Sequence, residues 1–113
     1  MLVDELEQYL SALGLVVQRL TLGEQTYLHI KDVGIGGGTL DGKRCEVAIL
    51  RTTETPWVPQ AAVHVRPHLV TMGQASSQAS PLGPDWQYLS RRFDKAPTSR
   101  AFLAFIYTVL GEL

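Results

Sequence analysis

The sequence predicts an α+β domain: one helix, a four-stranded antiparallel meander, a long loop and a closing helix. Three observations carry this. Apolar residues recur at helical spacing near both ends of the chain. Between them lie short runs rich in β-branched and aromatic residues, separated by glycine-containing turns. One polar stretch, 67–85, follows neither period. Helices at the ends with a meander between them make a layered α+β fold.

Leu2, Leu6, Leu10 and Leu13 fall on one face, so a short amphipathic helix is expected over 2–13. Gly14 supplies its stop, as the left-handed residue after a C-cap does. The runs LVVQRLTL (15–22) and TYLHIKDV (26–33), divided by Gly23-Glu24, read as a hairpin. In its second strand Tyr27, His29 and Lys31 face one way, and Leu28, Ile30 and Val33 mostly the other. The glycine-rich 34-GIGGGTLDG-42 lacks the Lys-Ser/Thr of a phosphate loop and opens no helix. With Asp41-Gly42 as a turn pair it reads as a strand connection. In RCEVAIL (44–50) Cys45, Val47 and Ile49 share the buried face, which makes Cys45 a core side chain rather than a nucleophile. Pro56 and Pro59 bar 51–60 from being an inner strand. The fourth strand is AAVHVR (61–66), with Val63 and Val65 toward the core and His64 on the other face.

The loop 67–85 exceeds the ~12–15 residues that an unstructured connection normally has, which marks it as functional or disordered. After it, DWQYLSRRF (85–93) reads as a short helical turn with Trp86 and Leu89 inward, broken at Ala96-Pro97. Thr98 caps the last helix, 99–112, whose apolar face is Phe102, Phe105, Ile106, Val109 and Leu110.

Composition sets limits. At 113 residues the chain suits one domain, 1–113. Ten basic against eleven acidic residues, net −1, give no reason to bind nucleic acid or an anionic membrane. No apolar run approaches the ~18 residues of a spanning segment. The acids in MLVDELEQYL argue against a secretory signal, so a cytoplasmic setting is expected. The single cysteine fits a reducing compartment, and with three scattered histidines it shows no metal-ligand spacing; no metal or cofactor is expected.

The element order and several short motifs together resemble the ubiquitin-conjugating (E2, UBC-like) fold. TPWVP (55–59) is similar to the family's Tyr-Pro-x-x-Pro flap, with Thr55 for Tyr. Arg66-Pro67-His68 stands where the family has His-Pro-Asn. Counting on from Arg66 by the family's His-to-Cys spacing reaches Ser76, with Gly73 just before it. Trp86 and the apolar helix after Pro97 complete the order. In CEVAILRTT, AAVHVRPHLV and SPLGPDWQYLSRRFDKAP the chain resembles bacterial E2-like proteins found beside E1-like (ThiF-type) and JAB-type metallopeptidase genes. The likeness spans nearly the whole chain, as topology more than identity. The segment between Pro59 and Pro67 is shorter than is common in the family, so Ser77 and Ser80 stand beside Ser76 as alternatives.

The resemblance implies a carrier in a bacterial ubiquitin-like conjugation pathway, several of which serve phage defence. Its partners would be an E1-like adenylating enzyme and a ubiquitin-like protein. With serine in place of the family's cysteine, the acyl group would be held as an oxyester. A cysteine is a few per cent thiolate near neutral pH, whereas a serine hydroxyl needs a base within hydrogen-bond reach. His68 is the expected base or oxyanion donor, and Asp85 the group that orients it. The plainer roles are a solvated serine, a loop-bracing His68 and a helix-capping Asp85. Arg91, Arg92 and Lys95 read as a solvated face. The alternative function is a non-catalytic E2-fold adaptor binding a ubiquitin-like or E1-like protein; a partner-stabilising subunit with no ubiquitin link ranks third.

Overall fold

A computed structural model describes residues 2–51, 61–92 and 98–113. The Pro56–Pro59 flap and the Ala96-Pro97 break lie outside the described residues. Helix α1 (Val3–Ala12) buries Leu6 and Leu10 as the spacing predicts, but Leu2 and Leu13, expected on the same face, are exposed cap residues and Val3 is buried instead. Its C-terminus closes with two reversed bonds, Gly14 N–H to the Ser11 carbonyl at 3.0 Å and Leu15 N–H to the Leu10 carbonyl at 3.2 Å. That closure needs Gly14 at φ +88°, which glycine adopts at no steric cost.

The sheet has six strands: β1 (Val17–Leu22), β2 (Gln25–Gly34), β3 (Arg44–Leu50), β4 (Val63–Arg66), β5 (Ser77–Ala79) and β6 (Gln87–Leu89). They run in the order β1-β2-β3-β4-β6-β5, each pair antiparallel. The first four form the expected meander. The expected count of four strands is corrected to six, and the helical turn expected over 85–93 is corrected to strand β6. The reason lies in β4: it is buried on both faces, and its free edge would leave backbone N–H and C=O groups without partners. A helical turn pairs only with itself. The alternation Gln87-in, Tyr88-out, Leu89-in instead lets β6 pair with β4 and β5 with β6.

One sheet face is covered by α1 and by α2 (Ser99–Gly111). Leu28, Ile30, Val47, Ile49, Val63, Val65 and Leu89 pack there against Leu6, Leu10, Phe102, Ile106, Val109 and Leu110. The Thr98 hydroxyl caps α2, accepting from Ala101 N–H at 3.2 Å. Cys45 lies in this core, 5% exposed, and burial pushes its thiol up to about 11. Gln87, wholly buried, accepts from the N–H groups of Leu69 and Val70 and donates to the Val70 carbonyl at 2.8 Å. It ties the start of the loop 67–76 to the sheet.

The glycine-rich segment is a hairpin connection, as expected. Ile35 N–H donates to Lys43, Gly42 N–H to Ile35, and the Asp41 carboxylate accepts from Gly37 N–H at 2.7 Å. The connection packs on the end of α2: a Cβ on Gly38 (φ +72°) would overlap the Gly111 carbonyl oxygen.

Candidate functional site

The chemistry-bearing side chains collect on the sheet face away from the helices. Strand registers place Gln18, His29, Ala48, His64, Tyr88 and Gln78 in one row across all six strands. Alternation in β2 and β4 puts His29 and His64 on this face, opposite the apolar core. Ala48 between them presents only a methyl group. Trp86 fills the space above it and forms a second apolar cluster with Tyr27 and Ala48, joined by Leu20, Leu50 and Leu82.

On one side of Trp86 lies an ionic network. The Arg66 guanidinium donates to both Glu46 carboxylate oxygens at 2.7 Å and stacks 4.7 Å from the Trp86 ring. Arg66 is the main reason that the Glu46 carboxyl is held below its usual range, with His29 adding to the effect. An ionised Glu46 only accepts, so His29 carries its proton on Nε2 and donates to Glu46 at 2.8 Å. The His29 ring meets Trp86 edge-on at 5.4 Å.

On the other side lies His64. Its ring is 2% exposed and sits edge-on between Tyr27 (5.3 Å) and Tyr88 (5.0 Å). His64 Nδ1 is 2.9 Å from Ser80 Oγ, which also accepts from Leu82 N–H at 3.1 Å. Among the described residues no carboxylate offsets the cost of charging this ring, and burial pushes its pKa down to about 4. An open groove of about 350 Å³ runs over it, lined by Tyr27, Leu50, His64, Gln78, Ala79, Pro81 and Tyr88.

The five residues expected to carry chemistry are not gathered into one hydrogen-bonded set. His68 is exposed, and its Nε2 lies 2.9 Å from the Pro84 carbonyl oxygen and 3.0 Å from that of Trp86. Carbonyls only accept, so Nε2 carries the proton and braces the segment 84–86. Ser77 is buried; its hydroxyl accepts from Gly73 N–H at 2.9 Å and donates to the Thr71 carbonyl at 3.3 Å. Ser80 has an imidazole partner, but it is His64. Asp85 is exposed and forms no hydrogen bond or ion pair with His68 among the described residues; its charge acts on Arg66. Ser76 is exposed on a 3-10 turn (Gln74–Ser76) and, like Ala75, has positive φ, +57° and +52°. This left-handed pair is pinned by Ser90 N–H on the Ser76 carbonyl (3.2 Å) and Arg91 on the Ala75 carbonyl (2.9 Å).

No group of three or more His, Cys, Asp or Glu among the described residues is arranged to hold a metal ion. No described helix is long and apolar enough to cross a membrane. Comparison with known proteins gave no matching family model, curated protein or solved structure.

The sequence reading missed His64 and the His29–Glu46–Arg66 network. Alternation identified His29 and His64 as facing away from the core, which was the available signal. Their partners Ser80 and Trp86 come from the far end of the long loop, beyond any local pattern.

Proposed function

We propose that the chain is an E2-like adaptor that binds a ubiquitin-like or E1-like protein without carrying it covalently. The α1, four-strand meander, α2 order supports the E2-like part of this reading, although β5 and β6 extend the sheet beyond the four strands that reading expects. The observation that carries the non-covalent part is the fate of the imidazoles. His68 is held by its Nε2–H on two backbone carbonyls and makes no hydrogen bond to a loop serine among the described residues, and His64, the ring that does meet a serine, is buried with its basicity pushed down. A serine nucleophile without a competent base lacks the proton acceptor that attack on an acyl donor requires.

One observation favours a second reading, a serine carrier. Two consecutive non-glycine residues in left-handed geometry are uncommon, and such outliers concentrate at functional sites. Here they present the Ser76 hydroxyl to solvent on a pinned turn. In this reading the base comes from the partner enzyme. The two readings separate on incubation with an E1-like enzyme, ATP and a ubiquitin-like protein. An adaptor co-purifies with no change in its mass. A carrier gains a hydroxylamine-labile adduct that Ser76→Ala abolishes.

A further inference from the structure

We infer that two copies of this chain pair along β1, joining their sheets into one continuous antiparallel sheet about a two-fold axis at Leu20. The inference is independent of the proposed function.

Among the described residues β1 is an unpaired sheet edge of six residues, whereas the opposite edge, β5, has three. Natural edges are blunted by proline, bulges, short length or outward charge. β1 has no proline, and its register with β2 is unbroken from Val17 to Leu22. Its one charged residue, Arg19, is drawn back onto its own α1, 2.7 Å from Asp4 and 3.3 Å from Glu7. Large apolar side chains are left exposed along this edge: Val16 is 59% exposed and Leu22 42%.

Backbone geometry and charge select the partner and the register. The two-residue turn Gly23-Glu24 makes Leu22 and Gln25 its hydrogen-bonded closing pair. Bonding then alternates, in accord with Lys31 N–H donating to the Val16 carbonyl at 2.9 Å. The N–H and C=O groups of Val17, Arg19 and Thr21 therefore point to the free edge. In antiparallel self-pairing, opposed residues share a face, so the axis must pass through a residue position. An axis at Arg19 sets two guanidinium groups directly opposite, which is unfavourable. An axis at Leu20 gives Arg19 the uncharged Thr21 of the second copy and bonds both pairs through outward groups. It also sets Leu20 against Leu20 in the close, non-bonded position. The same register sets exposed Glu24 opposite Val16 of the second copy, one strand from that copy's exposed Lys31, so opposite charges lie within side-chain reach at each end of the seam. A strand edge that satisfies itself in one register, with complementary charge, fits a second copy of this chain.

Sedimentation of the full chain over a concentration series tests this. The expected mass rises reversibly from 12.5 kDa toward twice that value. Thr21→Lys places a like charge opposite Arg19 twice per dimer and should raise the dimer Kd on the order of tenfold, while Thr21→Glu should lower it. Leu20→Cys should cross-link to itself on oxidation, because opposed non-bonded positions lie ~4.5 Å apart at Cα, whereas Gln18→Cys should not. A mass that stays at one chain, or a dimer indifferent to both Thr21 variants, overturns the inference. If Leu20→Cys fails to fold, the Thr21 pair alone decides, since Thr21 is exposed and outside the core.

Discussion

The hydroxyl oxygen of Ser80 lies 2.9 Å from Nδ1 of His64, joining the end of the long loop to the middle of the sheet. The contact couples a turn to a ring that is almost wholly buried, and it accounts for one nitrogen of that ring. It resembles a nucleophile–base pair in distance alone. Among the described residues the ring has no carboxylate behind it, and burial suppresses its basicity.

Ser80→Ala should therefore behave as a stability variant. It leaves His64 Nδ1 and Leu82 N–H without their partner, at a cost of about 1–3 kcal/mol. Urea unfolding of the two proteins measures this. Unchanged stability would mean that the hydroxyl contributes nothing to holding the 80–86 turn.

Acid should weaken the fold in a defined window. The folded pKa of His64 is about 4 against 6.5 for an unperturbed histidine. Between these values the unfolded chain binds a proton that the folded chain refuses, so stability is full above pH 6.5 and falls as pH drops toward 4. The loss is on the order of 2–3 kcal/mol. Glu46, whose pKa is lowered chiefly by Arg66, adds a loss of the same sign below the ordinary carboxylate range. Stability measured from pH 7.5 to 4 should show the first slope in the wild type and lack it in His64→Gln.

Ala48→Leu should cost about 1–3 kcal/mol, because Ala48 is fully buried beneath Trp86 and the face has no room for a longer side chain. Displacement of Trp86 should also shift tryptophan emission to the red. A wild-type spectrum with wild-type stability would contradict the packing.

Gly38→Ala should destabilise by ~1–3 kcal/mol, since the added methyl group meets the Gly111 carbonyl oxygen and the residue stands at φ +72°. Gly37→Ala, also at positive φ but with open space around its Cβ, should cost less. Thermal unfolding of the two variants checks the difference, and equal losses would mean that the approach to α2 is unimportant.

How much was legible in the sequence follows from which interactions are local. Helix α1 could be read because Leu6 and Leu10 obey the helical period and Gly14 ends it. β3 was found at 44–50 because Cys45, Val47 and Ile49 alternate, and the Thr98 cap was found because capping is decided within a few residues. β5 and β6 were missed because three-residue strands carry almost no periodic signal, and the free edge of β4 that recruits them is a tertiary fact. The site was less legible. The sequence set His68 beside the loop serines, but its Nε2–H donates to the Pro84 and Trp86 carbonyls and turns the ring to the 84–86 segment. It set His64 outward, and only the fold reveals that Ser80 and two tyrosines enclose it.

Intact mass spectrometry tests the central claim most directly: the chain is analysed after incubation with an E1-like enzyme, ATP and a ubiquitin-like protein. Under the adaptor reading the mass stays that of the unmodified chain, while affinity capture recovers one of the two proteins with it. A covalent adduct that hydroxylamine removes and Ser76→Ala prevents would contradict that reading and show that Ser76, which has no imidazole partner among the described residues, nevertheless carries the acyl group.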